Sequence, residues 1–132
     1  MSTRATIHFC DSAEAKPVAI IYRHGDGYPE GLGKDLQAFF REVKENVQDT
    51  RFRDPAYLAA KWVVYDAGQM AQYSGQEKKH PLAFLSVGIV NRDPCDIDYR
   101  YKVVCGESDG KCFPLLSCET PDGKQVRIPK LK

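Results

Sequence analysis

Hydrophobic and polar positions along the chain predict two strands, then two helices, then three strands. Ala5 to Cys10 alternates weakly between apolar and polar residues, and Val18 to Arg23 is an apolar run that ends at a Gly-Asp-Gly stretch. Alternation and β-branched runs of this length are typical of strands. The two segments therefore predict a first hairpin.

The spacing of apolar residues changes to three and four after residue 31. The residues that recur at these steps are Leu32, Leu36, Phe39, Phe40, Val43 and Val47. This spacing places them on one face and predicts an amphipathic helix. A second helix is predicted to begin at Asp54-Pro55. An aspartate accepts hydrogen bonds from the backbone N–H groups at a helix start, and a proline at the first helical position sacrifices no intrahelical hydrogen bond. It runs through Leu58 and Trp62 toward Met70.

The last third of the chain is strand-like. It follows a polar loop, Gly75 to His80. The predicted strands are Leu82 to Val90, Ile97 to Cys105 and Cys112 to Glu119, and a turn at Asp109-Gly110 leads from the second strand into the third. The first is apolar on both faces, which is typical of a central strand. The second alternates, so Tyr99 and Tyr101 are predicted to pack under the helices. Pro114 places the third at a sheet edge, because proline cannot donate a ladder bond.

The order β-β-α-α-β-β-β, with consecutive helices, predicts an α+β fold in which two helices cover one face of an antiparallel sheet. The 132 residues, of which 42% are hydrophobic and 28% charged, suit one globular domain, 1–132. Asp122-Gly123 offers one more turn before a short final strand or a loose tail. The chain ends in a short basic tail, about 121–132.

Charge and cysteine content narrow the function classes. The net charge of +1 gives no overall field that attracts a polyanion, so direct nucleic-acid binding is not expected. The N-terminus lacks the pattern of a secretory signal, and no segment approaches about 18 consecutive apolar residues. We therefore expect no membrane association and a cytoplasmic location. The five cysteines are expected to be thiols in that reducing compartment.

The segment Tyr22 to Gly33, YRHGDGYPEGLG, is the most distinctive in the chain. Its glycines and Asp26 suit a tight connection between a strand and a helix, which explains most of the pattern. A second interpretation is that amides at the helix start bind an anion such as a phosphate or a carboxylate. The candidate binding residues are Arg23, His24, Asp26, Gly27, Tyr28 and Lys34. The glycine spacing is not GxGxxG and no Gly-Lys-Ser or Gly-Lys-Thr follows, which excludes a phosphate-cradling loop of the NTPase type.

Signals for catalysis or metal binding are weak. No Gly-x-Ser-x-Gly motif is present, and His24 with Asp26 is the only close His/Asp pair, so we expect no catalytic residue and no enzyme activity. None of the cysteines forms a CxxC pair. Cys105, Cys112 and Cys118 converge only if their strands pair, which leaves a structural cysteine-zinc protein as an alternative to buried thiols. No metal or cofactor is predicted.

A family resemblance supplies the remaining indication. Thr3-Arg4, Tyr22, and Asp26-Gly27-Tyr28-Pro29 followed by Gly31 and Gly33 resemble a family of small uncharacterised phage- and prophage-encoded proteins with a Y-x-x-x-DGYPxGxG motif. The segments Tyr57 to Val64 and Asp98 to Tyr101 are also similar, and the resemblance weakens from Cys105 onward. The family implies no catalytic residue. It implies a genomic context in which small proteins commonly bind a host machine and block it.

We therefore expect a non-enzymatic protein that inhibits a bacterial defence system, with a CRISPR-Cas effector complex as the leading target and a host protein or ribonucleoprotein as the partner. It would act in the host cytoplasm by covering a nucleic-acid or nuclease-recruitment surface. Asp93, Asp96, Asp98 and Arg100 form the candidate partner surface, since an acidic patch mimics nucleic acid, although an exposed loop explains them equally well. The alternative from another class is a small-ligand or nucleotide-binding module that uses the loop 23–34. The oligomeric state stays open.

Overall fold

The computed structural model describes residues 2–73, 85–106 and 112–131. The predicted loop Gly75 to His80 and the turn at Asp109-Gly110 lie outside these residues, as do positions 82–84 of a predicted strand. The strands are β1 (Ala5–Cys10), β2 (Ala19–Arg23), β3 (Val87–Val90), β4 (Tyr99–Val104), β5 (Leu115–Glu119) and β6 (Gln125–Val126). A π-helical turn, Pro29–Gly33, leads into α1 (Lys34–Asn46), which is followed by α2 (Pro55–Tyr73). No helix within the described ranges combines the length and the apolar content needed to cross a bilayer.

The α+β class and the order of strands and helices are confirmed. The sheet order is β3-β2-β1-β4-β5-β6, and the short final strand β6 is present. The sheet differs from the antiparallel prediction in one pair, because β1 and β4 run parallel while the other neighbouring pairs are antiparallel. The prediction of a purely antiparallel sheet was therefore wrong at its centre.

The parallel pair results from a crossover between β3 and β4. β3 lies at the edge of the sheet beside β2, and residues 91–98 carry the chain back across β2 and β1 to the centre. Asp93 within this crossover contacts Thr6 and His8, which lie on the face of β1 opposite Ile7 and Phe9. The prediction that Leu82 to Val90 is a central strand was wrong, because an apolar run does not reveal which neighbours a strand will have. Ile89 in β3 is 81% exposed.

The other face of the sheet and the two helices enclose the core. Each face of a strand takes alternate residues, so Ile7 and Phe9 of β1 and Tyr101 of β4 point toward the helices and are fully buried. The predicted apolar face of α1 is confirmed, and its Phe39 ring meets Trp62 of α2 edge-on at 5.4 Å between centroids. The predicted start of α2 is also confirmed, since the Asp54 carboxylate accepts a bond from the Tyr57 N–H.

The turn after β2 is fixed by close backbone contacts. Asp26 has a φ of 55°, in the left-handed region that aspartate tolerates better than most residues. The Gly27 N–H donates to the Thr3 carbonyl at 2.9 Å, and the buried Tyr101 hydroxyl donates to the Gly27 carbonyl at 2.7 Å. A Cβ on Gly27 would lie 2.8 Å from the Thr3 carbonyl oxygen. The turn therefore has room only for glycine where it passes the start of β1.

The basic C-terminal tail lies against α1. The Gln37 side chain donates to the Pro129 carbonyl at 2.7 Å and accepts from the Leu131 N–H at 3.0 Å. Ile128 is partly buried against the core, while Lys124, Arg127 and Lys130 are exposed. The apolar residues of the tail thus extend the core, and its basic residues face solvent.

Gly27→Ala is expected to reduce the free energy of unfolding by about 1–3 kcal/mol, because the new methyl group meets fixed backbone and forces the turn away from β1. Gly25→Ala is the matched control, since nothing lies within 4 Å of a Cβ built at that position. The control should change stability by less than about 0.5 kcal/mol. Urea unfolding curves of the two variants and the parent measure the difference. Equal midpoints for both variants would contradict the close approach at Gly27.

Candidate functional site

A cleft opens between the turn after β2 and the middle of α2. Its volume is 390 Å³, and the residues that define it include Arg23, Asp26, Tyr28, Asp35, Trp62 and Asp66. We call it the junction cleft. It collects residues from β2, the turn, α1 and α2, so its shape depends on how the helices sit on the sheet.

Arg23 is the centre of charge in the junction cleft. It is the last residue of β2 and its side chain points to the helix-covered face, opposite Ala5 in the pairing. Its Nη1 lies 2.9 Å from Asp35 Oδ2 in α1, and its Nε lies 3.9 Å from Asp66 Oδ1 in α2. A buried guanidinium is tolerated only when it is paired. Arg23 therefore connects the sheet to both helices.

Asp66 is the second buried charged group. Its Oδ2 accepts a hydrogen bond from the Ser86 hydroxyl at 3.0 Å. Burial raises the pKa of the Asp66 carboxyl, and the nearby Arg23 and the Ser86 bond lower it by less than burial raises it. A raised carboxyl pKa together with a charged partner in a cleft is typical of functional sites.

Two donors on residues that line the junction cleft have unused hydrogen-bonding capacity, and both atoms are buried within the protein rather than open to the cleft. Trp62 is fully buried, and its indole Nε1 has no hydrogen-bond partner among the described residues. Nη1 of Arg23 lies close to Asp35 without forming an aligned hydrogen bond. The large majority of buried polar atoms in folded proteins are paired, so donors of this kind call for an explanation.

The structure brings together only part of the predicted binding loop. Arg23, Asp26 and Tyr28 line the junction cleft, while His24, Gly27 and Lys34 do not. The residues that sequence reasoning missed are Asp35, Trp62, Tyr65 and Asp66. They lie on the two helices, and no spacing in the sequence connects them with Arg23.

The three predicted residues that lie outside the cleft have other surroundings. His24 is exposed, and its Nδ1 lies 2.9 Å from the Tyr22 hydroxyl. Gly27 is buried beneath Tyr101. Lys34 is half-buried as the first residue of α1.

The amides at the helix start already have partners. The Gly31 N–H donates to the Tyr28 carbonyl, and the Leu32 N–H donates to the carbonyls of Asp26 and Tyr28. These bonds close the chain onto itself at the start of the π-helical turn. The amides of Gly31 and Leu32 are therefore not available to an anion in the way that the sequence suggested.

The candidate partner surface divides into two sets of contacts. Asp93 accepts bonds from Thr6 Oγ1 at 2.6 Å and Arg100 Nε at 2.5 Å, and its Oδ1 lies 2.7 Å from His8 Nε2. Burial acts to raise the pKa of Asp93, but the hydrogen bonds outweigh it and lower the pKa. Arg100 also donates to Glu119 at 3.1 Å. This network holds the crossover against the face of the sheet that lies opposite the helices.

Asp96 and Asp98 both meet Arg4. The Asp96 carboxylate lies 2.6 Å from Arg4 Nη1, and Asp98 accepts a bond from the Arg4 backbone N–H at 3.0 Å. Both aspartates are exposed, whereas Asp93 is half-buried. The three carboxylates therefore lie close in sequence, but each is bound to a donor on β1 or β4, or just ahead of β1.

The cysteines do not assemble a metal site in the part of the chain that the structure describes, where no group of three His, Cys, Asp or Glu side chains has the required geometry. Burial raises the pKa of Cys105 to about 12 and that of Cys118 to about 11. Both side chains are therefore thiols at neutral pH. The structure gives the cysteine-zinc alternative no support.

No family model matches the chain, and no curated protein or solved structure matches it either.

A second concave surface lies between α1 and α2 on the outside of the helices. We call it the helix groove, and its volume is 680 Å³. Apolar side chains form most of it, among them Val43, Val47, Tyr57 and Val64. Val64 is 74% exposed and Tyr57 is 55% exposed, with the Arg51 guanidinium stacked on the tyrosine ring at 4.5 Å. These side chains leave an apolar patch open to solvent.

Asp66→Asn is expected to change how stability depends on pH. The Asp66 carboxyl has its ordinary pKa of 3.8 in the unfolded chain and a higher pKa in the folded chain. Between these values the folded chain keeps a proton that the unfolded chain loses. Asp66 therefore makes the parent lose stability as the pH rises through this window, and the loss is complete above the folded pKa. The variant lacks this titration, so its stability relative to the parent should rise as the pH increases above 3.8 and should level off above the folded pKa.

Urea unfolding at a series of pH values measures this difference, and Asp49→Asn controls for the loss of one carboxylate. Asp49 lies exposed beside Arg51, away from the junction cleft. A difference in unfolding free energy between Asp66→Asn and the parent that stays constant with pH contradicts the raised pKa of Asp66.

Proposed function

We propose that this protein is a small-ligand-binding module whose ligand occupies the junction cleft. The observation that carries the proposal is the 390 Å³ cleft itself, in which Tyr28 and Tyr65 lie beside the ion pairs that Arg23 makes with Asp35 and Asp66. Sites for small molecules are concave, have volumes of about 300–1,000 Å³, and combine apolar walls with a few convergent polar groups. The junction cleft has each of these properties.

The free energy that some residues of the junction cleft cost the folded state supports a role in binding. A buried donor without a partner costs about 1–3 kcal/mol, and a non-glycine residue in the left-handed region costs about 1 kcal/mol or more. The protein carries both, at Trp62 and at Asp26, and both residues line the same cleft. Strained backbone residues cluster at active sites and ligand-binding sites.

A thermal-shift screen tests this proposal. The panel contains nucleotides, nucleosides, amino acids, amines and sugar phosphates, each added to the parent protein. A ligand at one hundred times its Kd stabilises the folded state by about 2.7 kcal/mol, which raises Tm by several degrees. The shift should vanish in Asp26→Asn, which keeps the shape of the side chain and tolerates the positive φ.

The matched control is Glu45→Gln, which removes one carboxylate from the exposed side of α1 and should keep the full shift. A panel without any stabilising compound counts against a small-ligand function. A shift that Asp26→Asn retains places the ligand elsewhere.

We propose inhibition of a bacterial defence system as the second function, because the helix groove suits a protein partner. Apolar patches that stay exposed on a folded chain mark protein-binding surfaces. Tyr57 and Val64 provide an aromatic and an aliphatic anchor, and aromatic residues are enriched where binding energy concentrates. The resemblance to phage- and prophage-encoded proteins supports a host defence target, with a CRISPR-Cas effector complex as the first one to examine. The proposed mode is non-enzymatic binding that covers a working surface.

Val64→Asp tests the second function. The charged side chain should weaken capture of a purified effector complex at least ~10-fold and relieve inhibition of its nuclease by the same factor. Val18→Asp is the matched control, because Val18 is 50% exposed and lies outside the helix groove. Equal loss in both variants, or an effector complex that the parent neither binds nor inhibits, counts against this function.

A further inference from the structure

The strand β3 forms one edge of the sheet. It has β2 on one side, and no strand of the described ranges lies on its other side. Its sequence is Val-Gly-Ile-Val, which contains no charge and no proline, and its pairing with β2 has no bulge. Natural sheets usually block an open edge with charged residues, proline or a bulge. β3 has none of these protections.

The hydrogen bonds to β2 determine which backbone groups of β3 point outward. The His24 N–H donates to the Ser86 carbonyl at 3.2 Å, just before β3 begins, which makes these two residues a hydrogen-bonded pair of the antiparallel ladder. Such pairs alternate along a ladder, so every second residue after Ser86 bonds to β2. The N–H and C=O groups of the residues between them, Val87 and Ile89, point away from β2 toward the open edge.

Ile89 adds an apolar side chain to this edge. It is 81% exposed, the largest exposed fraction among the large hydrophobic residues that the structure describes. Ile89 lies opposite Ile21 and Val87 lies opposite Arg23, so both side chains of β3 are on the face of the sheet that carries the helices. Val87 is buried on that face, whereas Ile89 is open to solvent. A strand added along the edge would cover Ile89.

We propose that β3 is the interface of a symmetric dimer, in which it pairs antiparallel with β3 of a second copy of this chain. A two-fold axis at Gly88 places Val87 of each copy opposite Ile89 of the other. These are the residues whose backbone groups point outward, so each of the two pairs exchanges both of its N–H···O=C bonds. On the helix side, Ile89 of one copy packs beside Val87 of the other, and the two sheets become one continuous sheet.

A second copy suits this edge better than a strand of another protein. Antiparallel pairing of two identical edges is self-complementary and closes after two chains, and two-fold dimers are the commonest soluble oligomers. Because β3 carries no charge, identical strands meet without like-charge repulsion. The net charge of the whole chain is only +1, so two copies repel each other weakly.

Sedimentation equilibrium over a concentration series tests the dimer with the full chain. The mass should approach twice the chain mass of 14.9 kDa as the concentration rises. Ile89→Lys should raise the Kd of the dimer by about tenfold or more, because it exchanges a covered apolar side chain for a charge at the edge. Leu115→Lys is the matched control and should dimerise like the parent, since Leu115 is 55% exposed but lies on β5, away from this edge.

Ile89→Pro tests the backbone bonds of the interface. Proline removes the outward N–H of Ile89, whereas the bonds from β3 to β2 belong to the neighbouring residues. The variant should keep the circular dichroism spectrum of the parent and raise the Kd of the dimer by about tenfold or more. A folded Ile89→Pro variant with the Kd of the parent overturns the strand pairing. If this variant does not fold, the disulfide described next decides the pairing.

A disulfide at the two-fold axis tests the register. Opposed residues of a non-hydrogen-bonded pair have Cα atoms about 4.5 Å apart, which a disulfide can span. Nothing lies within 4 Å of a Cβ built on Gly88. Gly88→Cys, in a chain whose exposed Cys95 and Cys112 are replaced by serine, should form a covalent dimer when oxidised glutathione is added. Ser117→Cys in the same background is the exposed control and should stay largely uncrosslinked.

Three results would overturn the proposed dimer. A parent that keeps the mass of one chain at every concentration shows that the edge does not bind a second copy. A dimer that Ile89→Lys leaves intact meets through another surface. Crosslinking of Gly88→Cys that is no faster than that of Ser117→Cys overturns the two-fold axis at Gly88. None of these results depends on whether the junction cleft binds a ligand.

Discussion

Arg23 holds the sheet and the helices in one arrangement. Its guanidinium sits at the end of β2, on the face that the helices cover, and pairs with a carboxylate from each helix. Water cannot solvate a group at that depth, so the positions of Asp35 and Asp66 are restricted to those that keep the charge paired. The helix face of the junction cleft follows from this restriction, because Trp62 and Tyr65 lie on the same stretch of α2 as Asp66.

The crossover on the face of the sheet opposite the helices is held by a different polar network. The crossover from β3 to β4 must pass over β2 and β1, and Asp93 anchors it through bonds from Thr6 and Arg100 and a close contact with His8. This anchor allows a parallel pair within an otherwise antiparallel sheet. The same contacts pair the Asp93 carboxylate with groups of the sheet. For this reason an acidic stretch in the sequence does not become an open acidic surface in the fold.

The sequence predicted the helices and strands well, but it did not predict which strands lie next to each other in the sheet. The periodicity of α1, the start of α2 at Pro55 and the burial of Tyr101 follow from local spacing, so they could be predicted without the fold. The edge position of β3 and the parallel pair could not, since they depend on where a crossover takes the chain. The same limit applies to the cleft. Arg23 was recognised because it adjoins a distinctive loop, whereas Trp62 and Asp66 belong to an ordinary amphipathic helix and meet it only in three dimensions.

Stability alone does not account for the polar groups around Arg23. Replacing a buried ion pair by apolar residues of similar volume is often neutral or stabilising, and an unpaired indole N–H adds a further cost. The chain nevertheless places a raised-pKa carboxyl, an incompletely bonded guanidinium and that indole around one open cleft. The glycine-rich turn belongs to the same arrangement, because the close approach at Gly27 fixes the backbone that carries Asp26 and Tyr28 to the cleft. The turn thus has a structural role at its base and carries Asp26 and Tyr28 to the cleft at its tip, whereas the anion-binding interpretation of its sequence meets amides of Gly31 and Leu32 that are already bonded.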